Sequence, residues 1–153
     1  MSAEKRLSEL GIELPPPPKP IGLYKPILIV GNLAYLSGHG PLKSDGSLIV
    51  GRVGDDLTLE QGQQAARQTG LAMLATLRFG LGSLDRVSRV IKLLGLVRST
   101  DAFDQQPAVI NGCSQLFVDL WGQDFGIGTR SALGTNSLPT GIAVEIEGIF
   151  EIV

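Results

Sequence analysis

A chain of 153 residues, 43% of them hydrophobic, has enough apolar mass for one packed domain and too little length for two of ordinary size. Its 13 lysines and arginines against 15 aspartates and glutamates give a formal net charge of -2 with no basic tract, which argues against nucleic acid as the main partner, because phosphate contacts need clustered cations. No apolar run approaches the roughly 20 residues that span a bilayer and the N-terminus lacks a signal-peptide core, so a cytoplasmic protein without a membrane partner is expected. The single cysteine, Cys113, excludes an internal disulfide, and with only one histidine, His39, no metal centre is expected.

Residues 1–20 read as an arm and residues 21–153 as a single domain. Ser2 to Gly11 has helical composition, with Leu7 and Leu10 three apart and a glycine at the C-cap position. The run Pro15-Pro16-Pro17-Pro18-Lys19-Pro20 forms neither helix nor central strand and is expected to be extended, packing along the domain or a neighbouring subunit. Ile27–Val30 and Leu33–Ser37 flank Gly31-Asn32 and predict a hairpin. Gly38-His39-Gly40-Pro41 breaks the pattern and places His39 in a loop; Ser44 to Ser47 reads as a turn before a short strand at Leu48–Val50.

Thr58 and Gln61 have capping-box spacing, and Leu59, Ala66, Gly70, Met73 and Leu77 mark the buried face of a long helix that ends at Gly80 or Gly82. Val87 to Val97 predicts a strand. A second helix is expected from Gln105 or Pro107 to about Trp121, with Val109, Cys113, Leu116, Phe117 and Leu120 on its apolar stripe. Within that stripe Cys113 reads as a small buried hydrophobe. Strands near Arg130–Thr135 and Ala143–Ile152 close the chain. The order describes an α+β sandwich, a mostly antiparallel or mixed sheet with two long helices on one face. Its other face still carries apolar residues, so oligomerisation is expected to cover it.

The chemistry concentrates between Thr129 and Glu147. Arg130 offers a planar fork of donors matching a carboxylate or phosphate. Glu145 and Glu147 stand two apart on a strand and share a face. An anion holder and a water-handling acid are thus candidates for one site, and an Arg130 ion pair to either glutamate is the structural alternative.

In order and spacing the chain resembles the Rid family, also called YjgF and labelled endoribonuclease L-PSP, from about Pro20 to Ile152. The resemblance rests on Gly22-Leu23-Tyr24, Leu36-Ser37-Gly38, Asn111 with Phe117, Arg130-Ser131, Leu138-Pro139 and Val144-Glu145-Ile146-Glu147. The Pro-rich arm is an extension seen in one subgroup. The resemblance implies a chorismate-mutase-like fold in a homotrimeric barrel, with clefts between subunits. It also implies hydrolysis of reactive 2-imino or 2-enamino acids to 2-oxo acids and ammonia, without a cofactor.

Residue by residue, the resemblance makes Arg130 the carboxylate clamp and Glu145 the group that positions water and passes protons. Tyr24 becomes an aromatic wall, and Ser37 and Asn111 substrate-binding groups. Three positions depart from the deaminase-type pattern: Ala132 stands where cysteine is common, His39 where glutamine is frequent, and Ser114 where an aromatic often lies. No step of imine hydrolysis needs a thiol, so Ala132 bears on pocket shape and substrate range. His39 is a minor acid or base candidate beside the cleft. Three other readings stand beside the deaminase: a non-catalytic trimer binding a small carboxylate such as a 2-oxo acid; an endoribonuclease, disfavoured by the acidic balance; and a chorismate-mutase-type activity, disfavoured because only one arginine is placed for a dicarboxylate.

Overall fold

The capping box at Thr58 starts the longest helix. In the computed structural model, which describes residues 2–153, the Thr58 hydroxyl accepts from Gln61 N at 3.2 Å and the Gln61 side chain accepts from Thr58 N at 2.9 Å. The elements in chain order are α1 (Ala3–Glu9), β1 (Ile27–Val30), β2 (Leu33–His39), α2 (Leu59–Leu81), β3 (Val87–Arg98), α3 (Gln106–Trp121), α4 (Gln123–Gly126), β4 (Thr129–Thr135) and β5 (Val144–Ile152). Gly82, at φ 84, caps α2 in the left-handed region. Gly80 lies inside the helix and not at its end, and a Cβ there would stand 2.9 Å from Ile27.

The strands form one mixed sheet ordered β1-β2-β5-β3-β4, antiparallel except for the parallel β3–β4 pair. That pair requires a crossover, which α3 and α4 supply. Both long helices cover one face, as the two apolar stripes imply. Met73, Leu74 and Leu77 of α2, and Ile110, Leu116 and Phe117 of α3, are fully buried with Ile146 and Phe150 of β5. Phe117 and Phe150 meet edge-on at 5.8 Å. The two helices approach so closely that a Cβ on Gly112 would lie 2.0 Å from the carbonyl oxygen of Gln63.

Two expectations fail. Leu48–Val50 is no strand: Leu48 bridges Leu42 and Val50 bridges Ile142, while Ile49 N donates to Pro41 O and Ile49 O accepts from Ala143 N. Three consecutive residues thus serve different neighbours and build no ladder. His39 is not in a loop either. It ends β2 opposite Ile146 and is buried. Strand β2 continues because a bulge absorbs the glycine: Leu36 opposes Gly148 and His39 opposes Ile146, leaving β2 one extra residue.

The open sheet face carries half-buried Leu94, Leu96 and Ile149 and exposed Tyr35 and Leu133, interspersed with Lys92, Glu145 and Glu147. On the helical side, α1 is docked rather than free. Ala3 and Leu7 are buried, Glu4 pairs with Arg78 and accepts from Leu84 N, and Arg6 donates to Asp119 O at 2.9 Å. Among the described residues no helix is long and apolar enough to cross a membrane.

Candidate functional site

The expected site residues fall into two clusters on opposite faces of the sheet. Arg130 pairs in register with Leu93, whose side chain is buried beneath the helices, so Arg130 projects to the helical side. Glu145 pairs with Leu96, which belongs to the alternate, open side of β3. Within one chain they line separate cavities.

The Glu145 cavity, about 450 Å³, is lined by Tyr24, Ser37, Gly38, His39 and Glu145, with Pro18 to Ile21 along one side. Glu145 is half-buried, and among the described residues it forms no ion pair or side-chain hydrogen bond. Burial raises its pKa, and the like charge of Glu147 pushes the same way. Such a carboxyl holds its proton more readily than an ordinary glutamate, which suits a group that both gives and takes protons. The bulge brings the backbone of Gly38 against it. The Ser37 hydroxyl donates to Lys25 O at 2.6 Å, so its oxygen remains available only as an acceptor. Tyr24 is 44% exposed and its hydroxyl accepts from Ile21 N at 3.3 Å, leaving the ring as a wall.

His39 borders this cavity, yet both ring nitrogens are occupied. Nδ1 lies 2.6 Å from Ser37 O and Nε2 lies 2.8 Å from Thr76 Oγ1. A carbonyl can only accept, which puts the proton on Nδ1 and makes Nε2 the acceptor of the Thr76 hydroxyl. Burial lowers the imidazole pKa, against a smaller opposing effect from the Ser37 bond. A neutral imidazole with no free nitrogen is a brace for the bulge. This replaces the acid or base role allowed from sequence.

The second cavity, about 850 Å³, is lined by Gln63, Arg67, Asn111, Ser114, Thr129 and Arg130 among others. Helix α3 orients the guanidinium: one terminal nitrogen donates to Asn111 Oδ1 at 2.9 Å and Ser114 Oγ at 3.0 Å, the other to Pro107 O at 3.3 Å. Asn111 and Ser114 therefore act together through Arg130. Among the described residues no carboxylate pairs with Arg130, so the ion pair to Glu145 or Glu147 is absent within the chain. Ala132 lines neither cavity and packs against the core. Cys113 is buried with its thiol pushed up to about 12 by burial, against a smaller opposing pull from Arg130, which removes it as a nucleophile. Among the described residues no three His, Cys, Asp or Glu side chains converge as metal ligands.

Sequence reasoning missed Thr76 and the cavity-lining part of the arm. Thr76 had a signal, a hydroxyl at a fully apolar level of α2. Thr140, at φ 56 between Pro139 and Gly141, also lines the Glu145 cavity and is the sole non-glycine residue with positive φ among those described.

Comparison with known proteins accords with this architecture. A family model described as "YjgF/chorismate mutase-like, putative endoribonuclease" matches residues 4–141. Protein TCP17 of Trypanosoma cruzi is 37% identical over 146 residues, covering 95% of this chain and 91% of its own. The crystal structure of Atu1372 from Agrobacterium tumefaciens, a protein described as of unknown function, is 40% identical. It superposes with a TM-score of 0.89 over 99% of this chain and 94% of that one. RidA from an Antarctic Psychrobacter is 26% identical, with a TM-score of 0.63 over 89% and 94% of the two chains. The family-model match over residues 4–141, together with the mixed five-stranded sheet, shows that the chain belongs to the YjgF/chorismate-mutase-like family, known also as Rid.

Proposed function

We propose that the protein hydrolyses 2-imino acids, and the enamines in equilibrium with them, to 2-oxo acids and ammonia in the cytoplasm. The site is a cleft between two copies of the chain in a homotrimer: Arg130 of one copy faces the Glu145 cavity of the next. The observation that carries this reading is the separation itself. Arg130 is oriented by α3 without a carboxylate partner, and Glu145 sits unpaired on the opposite face. Two such half-sites become one only when copies meet.

The chemistry follows from those groups. Arg130 holds the substrate carboxylate through charge-assisted hydrogen bonds and fixes the adjacent carbon. Protonated Glu145 donates to the imine nitrogen, and the resulting carboxylate takes a proton from the water that adds to that carbon. Glu145, reprotonated in that step, then donates to the amino nitrogen of the tetrahedral carbinolamine and takes the hydroxyl proton as the C–N bond breaks, the carbonyl forms and ammonia departs. Imino acid and water are consumed in equal amounts, and oxo acid and ammonia appear. The chain's own residues supply each proton transfer. Endoribonuclease chemistry has less support here: neither cavity combines a histidine pair with a basic strip.

An amino-acid oxidase generating imines in the presence of semicarbazide tests the proposal. The expected result is faster imine loss, reduced at least tenfold in Arg130→Ala and in Glu145→Gln. Co-assembly of the two inactive variants should restore part of the activity, because mixed trimers contain clefts with both groups intact. Full activity in Arg130→Ala, or no rescue on mixing, would sink the intersubunit mechanism. Retained 2-oxo acid binding without turnover would establish the carboxylate-binding alternative.

A further inference from the structure

The segment from Pro15 to Ile21 does not trail into solvent. Pro15 is buried, and Pro18, Lys19, Pro20 and Ile21 form one side of the cavity that contains Glu145. Leu42, Leu48, Pro139 and Ile142 are among its other lining residues. The proline side follows a docked helix and precedes a local surface bond. Upstream, α1 is locked by buried Ala3 and Leu7 and by the Glu4–Arg78 pair; downstream, Ile21 N donates to the Tyr24 hydroxyl. Prolines lack an N–H and hold φ near one value, so this wall is stiff and offers CH₂ groups rather than donors.

The cavity is also large for a small substrate. In one chain, before a second copy closes the cleft, its volume of about 450 Å³ falls in the range of pockets that enclose drug-sized ligands, and most of its lining side chains are apolar, whereas the simplest 2-imino acid carries only a methyl group. A small side chain would leave most of the apolar lining facing water. A branched or aromatic one would cover it.

We propose that this cavity selects 2-imino acids bearing bulky apolar side chains, branched aliphatic or aromatic, and that Pro18, Pro20 and Ile21 are the specificity-determining wall. The inference rests on the imine-hydrolysis reading for its reaction and on the cavity for its preference. Among the described residues Lys19 is the one lysine or arginine in the lining, so an acidic side chain is the competing class.

Two measurements test it on the full chain: turnover of imines made from alanine, leucine, phenylalanine and glutamate, and calorimetric binding of the matching 2-oxo acids. Leucine- and phenylalanine-derived substrates should exceed the alanine-derived one by at least about tenfold in kcat/KM, the discrimination expected of added apolar groups in such a pocket. The Pro18→Gly/Pro20→Gly double variant should lower kcat/KM for the leucine- and phenylalanine-derived substrates by a larger factor than for the alanine-derived one, so that most of the preference is lost. Ile21→Ser, at a largely exposed position that the fold tolerates, should lower it in the same direction. A flat profile, a preference for the glutamate-derived substrate, or unchanged selectivity in both variants overturns the inference. Graded binding of bulky 2-oxo acids without turnover of any imine would sink the reaction and keep the size preference. Turnover with no preference would do the reverse, and absence of both would overturn both.

Discussion

A Cβ placed on Gly38 would stand 2.8 Å from Oε2 of Glu145. The bulge backbone and the carboxyl group are in contact with no room for a methyl between them. The atoms in the way belong to the tip of a flexible side chain, so Gly38→Ala should displace the carboxylate and leave the strand in place. We expect imine turnover to fall at least tenfold while urea denaturation shows a stability change within about 0.5 kcal/mol, as for other substitutions that disturb no core packing. Unchanged turnover would remove Glu145 from the chemistry.

Glu145 also leaves a signature in pH. Burial, with Glu147 adding to it, raises its folded-state pKa, so folded protein retains a proton at pH values where unfolded chain has lost it. Its contribution to stability is therefore intact below the usual glutamate range and declines as pH rises through that range towards the folded value. Glu145→Gln should relieve the decline. The stability difference, variant minus wild type, should be more positive at pH 7 than at pH 4 when both are measured by urea denaturation. An equal difference at both pH values would contradict the burial effect.

For His39 the sign is opposite. Its folded pKa is lowered by burial, so its contribution is full above the ordinary imidazole range and is lost as pH falls below about 6.5 towards the lowered value. His39→Gln should flatten that acid-side loss. Thr76→Val removes the donor to Nε2 and should cost about 1–3 kcal/mol, the penalty for a buried polar atom left unpartnered. Denaturation curves at pH 5 and 7 check both variants.

Gly112→Ala sets two effects against each other. Helix propensity alone favours alanine by about 1 kcal/mol. The new methyl, however, would lie 2.0 Å from a backbone oxygen of α2, which cannot step aside without moving the helix. Overpacking should prevail, with a net loss of about 3 kcal/mol by chemical denaturation. A more stable variant would mean the helices part at no cost.

Local chemistry made much of this fold legible. The Thr58–Gln61 box, the Gly82 stop, the stripe from Val109 to Leu120 and the Gly31-Asn32 turn all act within a few residues of themselves, and each element formed as its pattern implied. Failures arose where partners lie far away in sequence. His39 looked like a loop residue because flanking glycines signal turns, but a bulge and a hydroxyl from α2 drew it into the interior. Leu48–Val50 has strand composition without a continuous neighbour. Arg130 and Glu145 stand out in the sequence by residue type, yet their placement on opposite faces depends on the β3 register, which no local pattern encodes.

The position of β5 bears on how the protein is made. Val144–Ile152 is the last strand in chain order and the middle strand of the sheet, joining β2 to β3. During synthesis the β1–β2 hairpin and the β3–β4 unit emerge first, each with an edge lacking its neighbour. Until Val144–Ile152 has been made those edges cannot close, so they stay open to edge-to-edge association for as long as β5 is missing.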